Sequence, residues 1–267
     1  MSDRAADAEL ASVPIAPSVE AWAAMSEAER AAAVAALPYD VQDHYLIQGE
    51  PHADVVTQAD EMIRNHFGDG GAGGRQLFIG KSLMVHYPAE ACFAPDLFVV
   101  FDPKPSPPRL SWVVSVEEKG LDFAMEVIFD GDRNKDLRRN VEWYARLGIP
   151  EYFVLDRKRM EIHGFRLIEG TRRYRRILPQ YGKYESVVLG LNIALEGDHF
   201  RFFVGHAPLP TAFELRSALQ LAVEAEAARA ETEAARAETE AARADLAEAR
   251  LRELEEQIAT LRKQEPV

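Results

Sequence analysis

The spacing of apolar residues changes along the chain from a helical to an extended pattern. Residues that recur three or four positions apart, as on the buried face of a helix, are Val55, Ala59, Met62, Ile63 and Phe67. This spacing predicts a helix from about residue 54, which the glycine-rich residues 68–74 end in a loop. Runs that predict strands follow at residues 76–79, 82–86, 97–101, 112–116 and 123–129. Residues 97–101 are apolar throughout, which is typical of a strand at the centre of a sheet.

A second helix and two more strands complete this part of the chain. Residues 135–147 form the predicted helix, which Gly148 ends as a C-cap. Residues 151–156 and 160–167 are predicted strands joined by a turn at residues 156–159. The order of helix, strands, helix, strand and strand predicts an α/β fold, in which a mixed sheet is flanked by helices.

The N-terminal part of the chain predicts a separate helical extension. Ser18 opens one helix, and Ser26 caps a second because Glu29 follows three residues later, as in a capping box. Pro38 ends the second helix. The predicted divisions of the chain are a helical extension at residues 1–40, a central domain at 41–209 and a C-terminal helical segment at 210–267.

The C-terminal segment has a seven-residue repeat. The string AARAETE occupies residues 227–233 and again residues 234–240. Further along, the apolar residues with the spacing of a coiled-coil seam are Leu251, Leu254, Ile258 and Leu261. The pattern favours a coiled coil through which copies of the chain associate, so we expect a homo-oligomer. A single solvent-exposed helix rich in alanine is the alternative that the sequence leaves open.

Composition and charge exclude several kinds of protein. The 267 residues are 47% hydrophobic, which is enough for one substantial core. The net charge of −13 excludes a protein that coats nucleic acid through a broad basic face, although it permits a small local site. Cys92 is the single cysteine, so the chain has neither an internal disulfide nor a cysteine-based zinc site. Without a leader peptide or an apolar run of roughly 20 residues, we expect a cytoplasmic protein with no membrane partner.

Two acidic residues lie beside or within apolar strands, where burying a carboxylate costs free energy. Asp96 directly precedes one apolar strand, and Glu126 lies in the middle of a later one. Burying an unpaired carboxylate costs free energy, and a divalent cation between two neighbouring carboxylates removes that cost. Magnesium suits such a sparse oxygen site because it keeps several waters for chemistry. The sequence leaves one alternative open, in which Asp96 caps a turn and Glu126 pairs with Lys119 or Arg138.

Three strings of the chain resemble a known protein family. They are APDLFVVFD around Asp96, MEVIF around Glu126, and DLRRNVEWYARLGIPEYFVLD, which begins at Asp136. Over about residues 45–167 they are similar to a large bacterial family of restriction endonuclease-like proteins that is abundant in cyanobacteria. The resemblance implies a PD-(D/E)XK nuclease core that hydrolyses DNA phosphodiester bonds with Mg²⁺, or with Mn²⁺ as the alternative ion. It also implies that Asp96 and Glu126 are catalytic residues that hold the metal.

The chain departs from this family's pattern at several positions. Asn140 stands where the family has a lysine that orients the attacking water, and an amide supplies no positive charge. Lys135 is the nearest replacement and our candidate for the catalytic cation, although a regular helix would turn it away from the site. His52 matches a family histidine at a helix start, and both a catalytic and a plain surface role stay open for it. Residues 44–49 lack the acidic residues of the family's YELIDG-like string, and Phe129 replaces a serine.

Two functions therefore compete. The first is a metal-dependent DNA endonuclease with a partly degenerate site formed by Asp96, Glu126 and Lys135. The alternative is a catalytically weak or inactive nuclease-like domain that acts as a binding or oligomerisation module through its coiled coil. Convergence of the Asp96 and Glu126 carboxylates within about 5 Å, with a gap for a cation that is open to solvent, favours the first. A carboxylate that is turned away or that forms a salt bridge to an arginine favours the second. The arginines within residues 172–176 contact a phosphate backbone or, as we prefer, line an exposed hairpin edge.

Overall fold

A computed structural model describes residues 13–39, 50–68, 75–105, 108–129 and 132–264 of the chain. Its helices are α1 (Val19–Ala24), α2 (Glu27–Ala35), α3 (Glu50–Phe67), α4 (Val114–Glu117), α5 (Asn140–Leu147) and α6 (Ala212–Gln264), with a π-helical turn at Lys135–Arg139 directly before α5. Its strands are β1 (Leu77–Lys81), β2 (Val85–His86), β3 (Leu97–Phe101), β4 (Trp112–Val113), β5 (Phe123–Ile128), β6 (Glu151–Asp156), β7 (Glu161–Leu167), β8 (Tyr174–Ile177), β9 (Tyr184–Ser186), β10 (Leu191–Glu196), β11 (His199–Val204) and β12 (Ala207–Pro208). Residues 44–49, which depart from the family's acidic string, lie outside the described residues.

A six-stranded mixed sheet forms the centre of the fold, in the order β1, β3, β5, β6, β7, β8. Strands β5 and β6 are parallel because the π-helical turn and α5 carry the chain back between them. The other neighbours in this sheet are antiparallel. Every residue of β3, β5 and β6 is buried, so both faces of these strands are covered. This burial explains their apolar sequence and confirms the predicted mixed sheet and α/β class.

A second sheet and α3 cover one face of the central sheet. The second sheet has the order β12, β11, β10, β9, and all its pairs are antiparallel. Residues of the two sheets and of α3 that share one apolar cluster include Ile63, Val99, Met125, Ile193 and Phe202. This second sheet is not predicted by the sequence, because its strands are partly exposed and lack a clear period.

The helix α5 covers the opposite face. Residues that strand alternation turns toward this side include Phe98, Ala124, Tyr152 and Val154. They pack with Tyr144 of α5. Gly148 has a φ angle of 83°, the left-handed conformation that ends α5 as the sequence predicted. In the N-terminal extension, Ser26 and Glu29 form the expected capping box at the start of α2.

Several predicted elements are wrong in their bounds. Residues 82–86 do not form one strand, because Ser82 takes a left-handed conformation with a φ angle of 46°. Only β2 remains of that strand, and it pairs in parallel with β4. Residues 112–116 are a strand only over β4, since the chain then turns into α4 and buries Glu117 against Arg109. The helix α3 begins at Glu50 rather than near residue 54.

The long helix α6 belongs to a unit of its own. The chain divides into two compact units, residues 1–211 and residues 212–267. The long C-terminal helix is confirmed, and Leu251, Leu254 and Ile258 are 60%, 41% and 50% exposed in this single chain. Their pairing with another helix stays a prediction. None of the helices in the described ranges combines the length and the apolar character that a membrane crossing needs.

Glu151 connects the two sheets. It opens β6 and is buried, with 1% of its surface exposed. Its carboxylate accepts hydrogen bonds from the Arg166 guanidinium at 2.7 Å, the Ser186 hydroxyl at 2.5 Å and the Val187 N–H at 3.0 Å. Because Ser186 ends β9 and Val187 follows it, one carboxylate fixes the second sheet onto the first. Removing one partner of such a pair is costly, since the other charge stays buried and unpaired.

We expect Glu151→Ala to lower the free energy of unfolding by about 3–5 kcal/mol, because it leaves the Arg166 guanidinium without its carboxylate and the Ser186 hydroxyl without its acceptor. Urea denaturation followed by circular dichroism measures this loss. Glu185→Ala is the matched control, because Glu185 is exposed and lies 4.0 Å from the same guanidinium. A surface pair of that kind contributes at most about 1 kcal/mol. Equal losses in the two variants would contradict the connecting role of Glu151.

Candidate functional site

Asp96 and Glu126 lie side by side on the central sheet. Strand β3 pairs with β5 so that Leu97 is opposite Met125, and one step along this antiparallel register brings Asp96 opposite Glu126. The backbone N–H of Asp96 donates to Oε2 of Glu126 at 3.3 Å. The charge of Asp96 also raises the pKa of Glu126. The predicted adjacency of these two residues is therefore confirmed.

Most buried carboxylates in the described residues are neutralised by a cation. At distances of 2.6–2.7 Å, Asp60 pairs with Arg64, Glu117 with Arg109, Glu151 with Arg166 and Asp156 with Arg133. Glu126 forms no salt bridge within the part of the chain that the structure describes. The sequence had left open a pairing of Glu126 with Lys119 or Arg138, but Lys119 pairs with Asp122 at 3.1 Å instead.

Two donors hold one oxygen of Asp96. Nε2 of His52, in the first turn of α3, lies 2.9 Å from Oδ2 of Asp96. The N–H of Val127 donates to the same oxygen at 2.8 Å. Because Oδ2 of Asp96 accepts from the Val127 N–H, we assign Nε2 of His52 as the donor in its contact with the same oxygen. His52 is buried and belongs to the site, rather than being a surface histidine.

Neutral donors from α5 hold the other carboxylate. The Tyr144 hydroxyl donates to Oε1 of Glu126 at 3.0 Å, and Nδ2 of Asn140 lies 3.5 Å from the same atom. Asn140 also donates to Oδ1 of Asp136 at 3.1 Å. The four-residue spacing of Asp136, Asn140 and Tyr144 places them on one side of the helical segment. Asn140 is therefore a hydrogen-bond donor of the site, although it carries no charge.

The π-helical turn brings Lys135 to the site. A turn of this kind adds a residue to a helical turn and is frequent at functional sites. We expected a regular helix to point Lys135 away from the site. The helical segment instead begins with the π-helical turn, which changes the direction of this side chain. Burial alone would lower the pKa of Lys135, but the charges of Glu126, Asp136 and Asp96 raise that pKa above its usual value. Nζ of Lys135 lies 3.7 Å from Oδ1 of Asp136, and the side chain is 52% exposed, so the ammonium faces both the carboxylates and solvent.

The site concentrates negative charge in a buried place. Burial raises the pKa of Glu126 well above its ordinary value, the charge of Asp96 raises it further, and Lys135 opposes both. Burial likewise raises the pKa of Asp136 to about 6, against the lowering effect of Lys135. Adjacent carboxylates in a buried environment do not both stay ionised unless a cation is shared between them. The pair of Asp96 and Glu126 therefore favours the binding of either an extra proton or a cation.

Asp96 and Glu126 fit a sparse magnesium site better than a closed metal cage. Within the described ranges, no group of three or more His, Cys, Asp or Glu side chains is arranged to hold a metal ion. Mg²⁺ commonly uses only one or two carboxylates and keeps water at its remaining positions. The uncompensated negative charge of the pair, and its oxygen donors, agree with such an ion.

Two tyrosines of the site were not predicted. Tyr144 packs in the apolar cluster beneath α5, and its hydroxyl also contacts Glu126. The Tyr152 hydroxyl donates to the backbone carbonyl of Asp136 at 3.0 Å and so supports the π-helical turn. Asp136, Asn140 and Tyr144 follow one another at intervals of four residues, and this spacing was a signal that could have identified Tyr144. Tyr152 carries no such signal, since its place follows from the packing of α5 on β6.

The chain matches the model of a protein family. The family is Uma2, described as "Putative restriction endonuclease", and the match covers residues 38–196, more than half of the chain. The matched region contains Asp96, Glu126 and Lys135, and it confirms the resemblance that the three strings indicated. No curated protein matches the sequence.

We expect Asp136→Asn to stabilise the metal-free protein at alkaline but not at acidic pH. The pKa of Asp136 is about 6 in the fold, above its ordinary value of 3.8. The folded state therefore binds the proton more tightly than the unfolded state, and wild-type stability falls as the pH rises from about 4 to about 6. At about pH 8 the substitution should raise the free energy of unfolding by about 2–3 kcal/mol, and at about pH 4 this difference should vanish.

Urea unfolding at both pH values, with a chelator present, measures the effect of Asp136→Asn. Asp198→Asn is the control, because Asp198 is exposed and lies outside the site. A gain of equal size at both pH values would show that the charge of Asp136 is not the cause.

Proposed function

The chain belongs to the Uma2 family, and on that premise we propose that it is a metal-dependent endonuclease that hydrolyses DNA phosphodiester bonds at a partly degenerate site. The observation that carries this proposal is the contrast among the buried carboxylates. Carboxylates that serve the fold, such as Glu151, are neutralised by arginine. Glu126 beside Asp96 has neutral donors and one half-exposed lysine nearby instead. A strongly perturbed acidic pair of this kind is typical of a functional site.

In this proposal Asp96 and Glu126 hold Mg²⁺, with Mn²⁺ as the alternative ion. When bound, the ion supplies Lewis acidity, which lowers the pKa of a water molecule and stabilises negative charge on a phosphate oxygen. The surrounding side chains orient the two carboxylates in advance. His52 holds Oδ2 of Asp96, and Tyr144 holds Oε1 of Glu126. Preorganised donors of this kind reduce the cost of binding and of charge development.

Lys135 supplies the positive charge that Asn140 lacks. Burial opposes its charged form, but the neighbouring carboxylates outweigh burial and hold the pKa of Lys135 above its usual value, so it is charged at neutral pH. Its half-exposed ammonium is available to a phosphate oxygen that approaches from solvent. A positioned group of this kind contributes about two to three powers of ten in rate, by analogy with one oxyanion donor. The amide at position 140 is the reason for describing the site as partly degenerate.

Positive charge is concentrated in one stretch of the chain, which includes Lys135. Residues 133–183 carry 14 lysines and arginines against 6 aspartates and glutamates, a net charge of +8 in a chain of net charge −13. This stretch includes the π-helical turn, α5 and the hairpin of β7 and β8. Strand β8 is at the end of its sheet, as a hairpin edge requires, and it exposes Arg175 and Arg176. Arg172 donates to the carbonyl of Arg146 at 3.0 Å, so the hairpin and α5 form one surface. Exposed cations on one surface favour DNA as the substrate.

We also propose that copies of the chain associate through α6. In the second candidate function, the chain is a weak or inactive nuclease-like domain whose role is binding or assembly through this helix. The observations that favour it are the neutral Asn140 and the burial of Asp96 and Glu126, which are only 7% and 3% exposed. Measured cleavage separates the two functions.

We expect the purified protein to cut supercoiled plasmid DNA in the presence of Mg²⁺ or Mn²⁺, and Glu126→Gln to abolish this cleavage, because glutamine keeps the shape of the side chain without its charge. Lys135→Ala should lower the rate about 100-fold. Lys104→Ala is the matched control and should leave the rate unchanged, because Lys104 is an exposed lysine that pairs with Glu118 outside the site. Time courses on agarose gels measure these rates.

Cleavage that persists in Glu126→Gln would contradict the assignment of the site. A wild-type protein that does not cut would be rescued by Asn140→Lys if the site is only partly degenerate, since the substitution restores a cation beside Glu126. Without cleavage in either protein, the endonuclease proposal is overturned and the assembly function stands.

A further inference from the structure

We propose that two copies of the chain pair through the C-terminal half of α6 in a parallel, in-register coiled coil. This inference rests on the self-association proposed above and adds its orientation and its register. Leu251 and Ile258 occupy heptad positions a, and Leu254 and Leu261 occupy positions d. The side chains of Leu251, Leu254 and Ile258 are exposed along one stripe of the single helix. A contiguous apolar stripe of this length marks an interaction surface rather than scattered surface leucines.

The composition of the stripe favours a pair of helices. A β-branched residue at position a with leucine at position d is the combination that favours two-stranded parallel coils. Ile258 and Leu261 provide it at the end of the seam. In the same register the upstream alanine-rich heptads place Glu233 and Glu240 at positions d, so the pairing is confined to the leucine and isoleucine layers and the adjoining Ala244 and Ala247.

The charges that flank the seam decide the orientation. Arg243 and Arg250 occupy positions g, and Glu248 and Glu255 occupy positions e. In a parallel pair, each g residue faces the e residue that lies five positions later in the other chain. Arg243 therefore faces Glu248 of the second copy, and Arg250 faces Glu255 of the second copy. Both contacts are attractive, and the twofold symmetry of the pair repeats each of them.

An antiparallel pair would place g residues beside g residues and e residues beside e residues. In the antiparallel pair that superimposes the leucine and isoleucine layers, Glu255 would face Glu255 of the second copy and Glu248 would face Arg262, so this orientation has one repulsive contact and fewer attractive contacts than the parallel one. A parallel pair shifted by one heptad would leave two of the four Leu and Ile layers unpaired at each end, and it would bring Arg250 of one copy to Arg262 of the other. The charge pattern thus selects the parallel orientation, and the short apolar seam selects the register.

Contacts within one helix do not prevent this pairing. Arg250 pairs with Glu253, and Arg252 pairs with Glu248 at 3.3 Å, in the single chain. These pairs are exposed, and exposed ion pairs along a helix contribute little.

The parallel orientation has one consequence for the whole chain. The two nuclease-like domains are joined to the same end of the coil, whereas an antiparallel pair would join them to opposite ends of a helix that is 53 residues long.

Charge reversal in the full-length chain tests the orientation. Arg250→Glu should weaken dimerisation about tenfold, because the new glutamate faces Glu255 of the second copy, and Glu255→Arg should weaken it to a similar extent. The double variant restores the attraction, so its dissociation constant should return to near the wild-type value. Arg252→Glu is the matched control, because position b lies outside the seam. Sedimentation equilibrium measures the dissociation constants.

Disulfide formation provides an independent readout of the register. In a Cys92→Ser background, Ala244→Cys places one thiol at position a near the start of the seam. A parallel, in-register pair brings the two thiols together, and mild oxidation should link them. In an antiparallel pair centred on the seam, the two positions lie about 36 Å apart and do not link.

The outcomes separate this inference from the proposals on which it rests. A wild-type chain that stays monomeric at high micromolar concentration overturns the self-association and with it the coil. A dimer that tightens on Arg250→Glu, that the double variant does not restore, or that leaves Ala244→Cys unlinked overturns the orientation alone. Because none of these measurements involves cleavage, they leave the nuclease proposal to its own test.

Discussion

The repulsion between the buried carboxylates of Asp96 and Glu126 is the interaction on which the rest of the site depends. Burial and the charge of Asp96 together hold the pKa of Glu126 well above its ordinary value. Each pKa unit corresponds to about 1.4 kcal/mol, so such a pair lowers stability unless something compensates its charge. A fold that retains this pair does so at the expense of its own stability, which is expected where the pair holds a ligand.

The surroundings of the pair limit this cost without removing the charge. Elsewhere in the described fold the same problem has a structural solution, since Glu151 and Asp156 each receive an arginine at 2.7 Å. An arginine beside Glu126 would neutralise the pair and close it to a cation. The fold instead provides the neutral hydroxyl of Tyr144 for one carboxylate and the ring of His52 for the other. Among the described residues, positive charge comes to Glu126 from the half-exposed side chain of Lys135. The two carboxylates are thus held in place before a cation binds, and the site keeps a net negative charge.

The sequence predicted the parts of this arrangement that follow from strand geometry. Asp96 at the start of β3 and Glu126 within β5 meet because neighbouring strands pair, and apolar runs reveal such strands. The position of Lys135 follows from a single residue added by the π-helical turn, which no periodicity shows. His52 reaches the site from a helix 44 residues earlier in the chain, so its contact depends on tertiary packing. The second sheet was not predicted because it is fixed by a long-range contact, from Glu151 to Ser186, rather than by the pattern of its short strands.

The most direct measurement of the central claim is a calorimetric titration of the protein with Mn²⁺ near neutral pH, repeated with Glu126→Gln. If Asp96 and Glu126 hold a divalent cation, a single ion binds to each wild-type chain. Because the pKa of Glu126 is raised, the ion competes with a proton for this group, and binding is accompanied by proton release. Both the binding and the proton release are then lost in Glu126→Gln. Equal binding by the two proteins, or no binding by the wild type, would contradict the claim.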